Sequence, residues 1–322
     1  MIALKKLMNK KYYLPALLVL SLLCGSAIKS SFFAPQRPDA IAAKTLLSNK
    51  ESAHLTEAKN ISNNNNTPTA GSSLTKSKNK PDSPQKKTVA ALSNSKYGWG
   101  LKTNNEHLQP EVPAKINSLL AKYKAYWIGN NQDKVVYLTF DEGYENGYTP
   151  KILDILKSNN VKAAFFVTGH YLKTQPGLVK RMVIEGHIVG NHTDTHPSMP
   201  DISDEQIKNE LQIVEKQFHE ITGVNKMSYL RPPKGEYSER TLALTSELGY
   251  HNIFWSIALV DWVPMPNGSD QAYQGVMDKL HNGAIILLHA ISKDDTEALD
   301  KIIKDIKAQG YTFKTLDDLV KP

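Results

Sequence analysis

The sequence is poor in cysteine and has no internal repeat. Cys24 is the only cysteine among 322 residues, and it lies in an apolar segment near the N-terminus. A disulfide framework is therefore excluded for the rest of the chain, whose stability must come from a buried core. The absence of a repeat excludes solenoids and propellers, which are built from recurring units.

Acidic residues are scarce in the N-terminal part. Residues 1–96 contain 15 Lys and Arg against 4 Asp and Glu, a net charge of +11, whereas residues 97–322 contain 24 against 28, a net charge of −4. No face rich in both aromatic and basic residues accompanies the positive charge, so we expect no nucleic-acid partner. The basic residues serve either as a solvated spacer or as an attraction to anionic wall polymer or lipid headgroups.

Residues 1–28 have the layout of an export segment. Four lysines precede an apolar run from residue 12 to residue 28, which is the order found in signal peptides. Small residues at 25–27 would permit cleavage, while the run is also long enough for a short membrane anchor. We predict an exported protein, either associated with the outer face of the cytoplasmic membrane or located in the cell wall.

The remainder divides into a linker and one domain. Residues 29–96 are rich in Ser, Asn, Lys, Thr and Pro, a composition that cannot bury enough apolar surface to offset the entropy of ordering. We predict a disordered basic linker there. Residues 97–322 suffice for one α/β domain but not for two ordinary ones, and we expect a monomer.

Apolar runs and helical patterns alternate along this domain. We predict strands within residues 135–140, 163–167, 187–190, 229–230, 252–255, 284–288 and 311–313, and helices within 148–158, 176–185, 204–222, 239–248 and 296–309. Such alternation favours a parallel sheet covered by helices. Polar clusters follow the strand ends, where (β/α) barrels carry their catalytic groups. We therefore predict a closed or slightly irregular barrel.

Five of these polar clusters together contain the parts of one hydrolytic metal site. They are residues 139–143, 192–196, 231–235, 260–262 and 287–289. Taken singly, each has a plain explanation, because acids at strand ends cap helices and isolated histidine pairs are usually incidental. Their joint occurrence predicts hydrolysis assisted by a divalent metal, for which Zn²⁺ is the ion we expect.

The first two clusters supply carboxylates and imidazoles. Asp141 and Glu142 end an apolar strand and enter a glycine turn, so we expect both carboxylates to face one cleft. One would act as the base while the other helps to hold the cation. His192 and His196 lie four residues apart and, on a helix, would share a face from which both reach one Zn²⁺.

The later clusters supply an arginine, another acid and a late histidine. Two prolines stiffen the chain after Arg231, which would hold its guanidinium near Asp141 and keep that carboxylate ionised. Asp261 adds a carboxylate and Trp262 an apolar wall. His289 can be protonated when paired with an acid. A surface ion pair and a satisfied core histidine are the alternative interpretations.

At these residues the sequence resembles the polysaccharide deacetylases of carbohydrate esterase family 4, or NodB-homology domains. The resemblance covers residues 134–319 and includes the five family motifs in order. It implies a distorted (β/α) barrel that removes acetyl groups from amino sugars. It also implies roles: Asp141 as general base, His192 and His196 as metal ligands, Arg231 as the residue that steadies the base, the N–H of Lys234 as donor to the oxyanion, Asp261 as the partner that tunes the general acid His289, and Trp262 with Leu287 as walls of the acetyl pocket.

Two positions depart from the family pattern. Glu142 stands where the family usually has a second Asp as metal ligand, and Ala258 stands where an Asp usually opens the fourth motif. Residues 139–150, 165–170, 229–233 and 254–256 are similar to one subgroup, the N-acetylmuramic acid deacetylases of spore-forming bacteria. In that subgroup the position of Glu142 is typically Asn.

The subgroup resemblance implies peptidoglycan glycan strands as the partner. Its reaction removes acetate from muramic acid residues already stripped of peptide, which prepares the muramic δ-lactam of spore cortex. Two alternatives stay open at this point: deacetylation of N-acetylglucosamine in peptidoglycan or another polysaccharide, and a wall-binding module without catalysis.

Overall fold

The computed structural model of the protein describes residues 88–104 and 106–321. The predicted export segment, residues 1–28, and residues 29–87 of the predicted linker lie outside the described residues. Within the described ranges, no helix combines the length and the apolar character needed to cross a membrane.

Strands and helices alternate through most of the domain. Over the described residues, the strands are β1 (Tyr97–Gly98), β2 (Ala125–Tyr126), β3 (Val135–Glu142), β4 (Ala164–Val167), β5 (Ile188–Asn191), β6 (Tyr229–Leu230), β7 (Glu236–Tyr237), β8 (His251–Ile253), β9 (Ile257–Ala258), β10 (Ala284–His289) and β11 (Thr312–Phe313). The α-helices are α1 (Ala114–Lys122), α2 (Thr149–Ser158), α3 (Gly169–Thr174), α4 (Pro176–Ile184), α5 (Asp204–Thr222), α6 (Glu239–Glu247), α7 (Gly268–Met277), α8 (Lys293–Ala308) and α9 (Leu316–Leu319).

A single parallel sheet positions the polar clusters. Its strand order is β2-β8-β6-β5-β4-β3-β10-β9, and β11 also pairs with β3. The sheet curls into a half-barrel, and over the described residues no pairing joins its edge strands β2 and β9. The distorted (β/α) barrel is therefore confirmed, with an opening between those edges rather than full closure. A separate antiparallel pair joins β1 to β7.

The two faces of β3 have different surroundings. Even-numbered residues from Val136 to Phe140 belong to the core beneath the helices, whereas Val135 and Tyr137 lie in a second, inner cluster. Successive side chains of a strand point to opposite faces. The same alternation places Asp141 on the inner face, toward the mouth of the barrel.

Local signals set the ends of the helices. The hydroxyl of Ser203 accepts from the N–H of Gln206, whose side chain accepts from the N–H of Ser203 in return. This capping box starts α5. Gly223 adopts a φ of 75° and ends the helix, a left-handed conformation that glycine adopts without steric cost.

The predicted strands and helices are confirmed, with bounds that differ by three residues or fewer. The sequence did not predict α1, α3, α7 and α9 or the short strands β1, β2, β7 and β9. Two-residue strands contain too few side chains to show an alternating pattern, so only their partners define them.

The folded domain begins before residue 97. The backbone N–H of Arg240 donates to the carbonyl of Ser93 at 3.0 Å, and the Asn94 side chain donates to the carbonyl of Pro200 at 2.9 Å. The end of the predicted linker, around Ser93 and Asn94, therefore contacts the domain. This polar segment looks like a linker in the sequence because the partners of its polar groups, Arg240 and Pro200, are distant in the chain.

Candidate active site

The strand ends open into a cleft of about 1430 Å³. All five polar clusters contribute to its lining, through Asp141, His192, His196, Lys234, Trp262, Leu287 and His289. Arg231 and Asp261 are buried, with 0% and 2% of their surface exposed, and support the lining from behind. The tertiary structure thus brings together nearly all of the side chains predicted for the site.

A buried ion pair joins the first and third clusters. The Arg231 Nη1 donates to Asp141 Oδ1 at 2.6 Å, and Nη2 donates to Thr139 Oγ1 at 2.8 Å. The Arg231 Nε donates to the carbonyl of Ile253 at 3.2 Å. With all three nitrogens engaged, the guanidinium is fixed in position, as its planar fork permits.

This pair keeps Asp141 ionised. Burial alone would favour the protonated acid, but the Arg231 guanidinium, followed by His192 and His289, lowers the pKa of Asp141 below its usual value. The guanidinium also lies 4.1 Å from the centre of the Phe166 ring. A side chain at Gly190 would collide with that ring, because a Cβ there would meet it at 2.6 Å.

The histidine pair is held by a turn rather than by a helix. Thr193 and His196 have φ values of 65° and 58°. Residues other than glycine rarely adopt such values, which strain the backbone. The N–H of His196 donates to Thr193 Oγ1 at 3.0 Å, and the ring centres of His192 and His196 are 4.7 Å apart. The predicted spacing therefore brings the rings together, although the helical geometry suggested for it is wrong.

Both imidazoles are suited to bind a cation. The Nδ1 of His192 lies 2.8 Å from the carbonyl of Arg231, which can only accept, so Nδ1 carries the proton and Nε2 keeps its lone pair. That Nε2 is 3.5 Å from Asp141 Oδ2. Burial lowers the pKa of both rings, that of His196 to about 4, so both are neutral at pH 7.

These donors fit a divalent metal only in part. Two neutral imidazoles beside a carboxylate match the ligand types that Zn²⁺ prefers. Across the described part of the chain, however, no three His, Cys, Asp or Glu side chains are already gathered as a metal-holding group. His192 and His196 would therefore hold the ion, with remaining positions left to water or substrate.

Asp261 and His289 form a second pair, beside Asp141, because His289 of β10 is the register partner of Asp141 in β3. The Asp261 Oδ2 accepts from the backbone N–H of His289, and Oδ1 lies 2.7 Å from its Nδ1. Burial opposes protonation of the imidazole, but the bond to Asp261 and the nearby Asp141 raise the pKa of His289. With Nδ1 engaged, Nε2 is the ring nitrogen left for a substrate.

The remaining predicted residues lie on the walls. Trp262 is 58% exposed, and its ring stands edge-on to His289 with centres 5.4 Å apart. Leu287 is buried and also lines the cleft. Lys234 lines it as well, in a strained backbone conformation with a φ of 60°, which marks a locally constrained turn.

Glu142 does not share the cleft with Asp141. The strand β3 continues through Glu142, so the two neighbouring side chains point to opposite faces. Both Glu142 carboxyl oxygens lie near Thr149 Oγ1, at 3.4 and 3.5 Å, on the helix side. The expectation that both carboxylates face one cleft is wrong, because the strand is two residues longer than predicted.

The surroundings of Glu142 favour a neutral acid. Its side chain is only 1% exposed, and burial, followed by the nearby charge of Glu145, raises the pKa of Glu142 well above its usual value. A protonated carboxyl group turned away from the imidazoles is a poor metal ligand.

Replacing Glu142 with asparagine is therefore expected to leave metal affinity unchanged. Calorimetric titration of the metal-free protein with Zn²⁺ would measure it, with Glu142→Gln as a control that keeps the side chain's length. A loss of about tenfold or more, equivalent to about 1.4 kcal/mol, would show that Glu142 reaches the ion after all.

Two residues contribute to the site although the sequence analysis gave them no role in it. Thr139, in the first cluster, accepts from Arg231 and donates to the carbonyl of Ile286 at 2.7 Å, so it connects β3 with β10 and with the residue that follows β6. Counting back by two from Asp141 along the strand would have found it. Phe166 carries no polar group and gave no signal, since only the fold places it under the guanidinium.

Comparison with known proteins places the chain among relatives. The family described as Polysaccharide deacetylase matches residues 128–253. An uncharacterized 30.6 kDa protein of Geobacillus stearothermophilus is 56% identical over 234 residues, covering 72% of this chain and 88% of that protein. The peptidoglycan-N-acetylmuramic acid deacetylase PdaA of Bacillus subtilis (strain 168) is 49% identical over 231 residues, covering 71% and 88%.

Solved structures agree with these relationships. The structure of Bacillus subtilis PdaA, described as a family 4 carbohydrate esterase, matches with a TM-score of 0.68, covering 71% of this chain and 98% of that chain. A family 4 pseudoenzyme from Bacillus anthracis is 33% identical, with a TM-score of 0.58 and coverage of 61% and 69%. Sequence, fold and coverage agree: this chain belongs to the polysaccharide deacetylases of carbohydrate esterase family 4.

Proposed function

We propose that this protein is an exported deacetylase that removes the N-acetyl group from muramic acid residues of peptidoglycan. The observation that carries the proposal is the presence of two groups with oppositely shifted pKa values in one cleft. Asp141 is held as an anion by Arg231, and His289 is held ready to carry a proton by Asp261. Pairs of groups whose pKa values are pushed apart are typical of acid and base assignments.

Asp141 acts as the general base. Its Oδ1 is occupied by Arg231, while Oδ2 lies near His192 and faces the cleft lining. A water molecule between this oxygen and the substrate carbonyl would lose its proton to Asp141 as it attacks. Arg231 then steadies the base through both protonation states.

His192 and His196 hold the cation, and we propose Zn²⁺ for this position. When bound, such an ion supplies Lewis-acid polarisation of the acetamide carbonyl and stabilises negative charge on oxygen. The N–H of Lys234 provides a second stabilising group for the carbonyl oxygen as charge develops there, in the manner of an oxyanion hole.

His289 acts as the general acid. Its Nδ1 is engaged by Asp261, so the proton that leaves must come from Nε2. Transfer of this proton to the sugar nitrogen turns it into an amine, which leaves as the carbon–nitrogen bond breaks and acetate forms. Trp262 and Leu287 enclose the acetyl methyl group between apolar walls.

Lysines in the cleft support an anionic sugar. A muramic acid residue without peptide carries a free lactyl carboxylate, whereas N-acetylglucosamine carries no charge. Lys173, Lys234 and Lys279 line the cleft, and Lys173 is paired with Asp194 at 3.1 Å. Among the ion pairs of the described residues, none includes Lys234 or Lys279, so their charges are available to a ligand carboxylate.

Replacing Lys279 with methionine is expected to weaken binding of this carboxylate. Because Lys279 is half-buried, its charge is less screened than on an open surface. We expect KM for peptide-free muramic glycans to rise by about five- to tenfold while kcat stays unchanged, the pattern of lost ground-state binding. Lys216→Met, on the exposed surface of α5, is the control, and an equal KM in both variants would contradict the assignment.

The test of the proposed function is mass analysis of glycan fragments. The purified protein would be incubated with peptide-free peptidoglycan and the product digested to disaccharides. Mass spectrometry would then give the mass of each sugar in the fragments. Loss of 42 mass units, the size of an acetyl exchanged for hydrogen (about one C₂H₂O unit), is expected on muramic residues. Loss of acetyl mass from glucosamine residues alone would show that N-acetylglucosamine, not muramic acid, is the substrate. No loss of acetyl mass in the presence of metal would favour a wall-binding module.

A further inference from the structure

A buried acid outside the cleft faces the pair Asp261 and His289. Asp295 lies in the first turn of α8, directly after the strand that ends at His289, and is 2% exposed. Its backbone N–H donates to Ser292 Oγ at 3.1 Å. This carboxyl group is neither the base, the acid nor a metal ligand of the proposed reaction.

Neither carboxyl oxygen of Asp295 receives an N–H or hydroxyl hydrogen bond among the described residues. An ionised carboxylate has only acceptor positions, so an anion here would be buried without any donor, a costly arrangement. The start of a helix favours negative charge, but that weak effect does not offset complete burial. Asp295 therefore carries a proton.

The acceptor for that proton is Asp261. The neighbouring carboxyl group is that of Asp261, which interacts directly with Asp295, and a hydrogen bond between two carboxyl groups requires that one of them be protonated. Asp261 already accepts two N–H groups from His289 at 2.7 Å, which stabilise it as the anion. Burial, followed by the charge of Asp261, raises the pKa of Asp295 to about 10, in agreement with this order.

We propose that Asp295 is a positioning residue that donates its proton to Asp261 and thereby limits how strongly Asp261 holds the proton of His289. The donated bond draws negative charge away from the oxygens that face the imidazole. His289 is thus protonated but still able to release its proton to a leaving amine. The inference rests on the proposed role of His289 as general acid.

Other charges also act on this group. The titratable and charged side chains around the Asp295, Asp261 and His289 chain are Asp141, Arg231, His192, His196 and Asp294. None of them is changed by a substitution at position 295. A difference between variants at this position therefore reports the bond to Asp261.

The test measures the titration of the His289 ring by NMR in the metal-free protein. The ring signals of His289 are assigned by their loss in His289→Gln. Removing the donor in Asp295→Ala concentrates charge on Asp261, so we expect the pKa of His289 to rise by about one unit, the scale of a hydrogen bond to a charged group. Asp295→Asn replaces the O–H donor by an N–H donor and should leave that pKa as in wild type.

The pH profile of kcat/KM gives the second measurement. Its alkaline limb, where the acid loses its proton, should move upward in Asp295→Ala and stay in place in Asp295→Asn. Asp300→Asn, which makes the same side-chain substitution elsewhere on α8, at a surface pair with Lys304, is the control. Thermal unfolding of each variant shows whether the fold is kept.

The outcomes separate the inference from the proposed function. A downward shift in Asp295→Asn would show that Asp295 is an anion and would overturn the inference, as would an unchanged pKa in Asp295→Ala. If Asp295→Ala does not fold, the Asn variant still decides between the neutral and the ionised acid. If the protein has no deacetylase activity, the NMR titration still tests the bond, so the two failures are distinguishable.

Discussion

Replacing Asp141 with asparagine is expected to lower kcat by about 10²-fold or more, the range for a lost acid or base group. The amide keeps the shape of the side chain and an oxygen that accepts from Arg231 Nη1. It cannot take a proton from water, so the chemical step loses its base. Acetate release under saturating substrate measures kcat, and elemental analysis of the same sample should show nearly unchanged metal.

The substitution also leaves Arg231 buried beside a neutral partner. Breaking a buried ion pair costs roughly 3–5 kcal/mol of folding stability, so the variant must be assayed well below its unfolding temperature. Asp154→Asn, which removes a carboxylate from an exposed pair with Arg181, is the matched control. Near wild-type kcat in folded Asp141→Asn would show that another group removes the proton.

Replacing His196 with alanine is expected to abolish metal binding and activity together. His192 and His196 are the two imidazoles that we assign to the ion, and the loss of either leaves too few protein ligands for stable binding. We expect bound metal to fall far below one ion per chain and activity to fall by about 10²-fold or more. Elemental analysis after dialysis, with assays at several Zn²⁺ concentrations, measures both.

His196 is a cleaner position for this test than His192. His192 is 4% exposed, and its Nδ1 serves the carbonyl of Arg231, so its removal also disturbs the support of the base. His219→Ala, on the exposed end of α5, removes a histidine that does not line the cleft and is the control. Stoichiometric metal in purified His196→Ala would contradict the ligand assignment.

The course of the backbone could largely be predicted. Helix α5 has the predicted bounds, because apolar periodicity and capping residues are local properties that lie within a few positions of each other. The alternation of strands with helices also predicts a parallel sheet, since only such a sheet buries both faces of its strands beneath helices. The order of the polar clusters at the strand ends then indicates where the cleft opens.

Which side chains enter the cleft could not be predicted as well. Asp141 and Glu142 are adjacent acids with the same chemistry. Because β3 continues through Glu142, their side chains point to opposite faces of the sheet. The predicted end of this strand is two residues too early, which is an ordinary error for a local sequence pattern. Because side chains of a strand alternate between faces with a period of two, such an error changes which face a residue is expected to occupy. For His192 and His196 the predicted proximity is correct but its cause is different. A strained turn, not a helix, brings the two rings together.

The parallel α/β architecture, the family and the residues that gather at the cleft follow from the sequence alone, because local periodicity and short motifs specify them. The burial of Arg231 on Phe166, the exclusion of Glu142 from the cleft and the interaction of Asp295 with Asp261 become apparent only in the folded structure. Each of these depends on which side of an element a residue faces and on partners distant in sequence. Burial and charge at such contacts set proton affinities, and they exist only after the chain has folded.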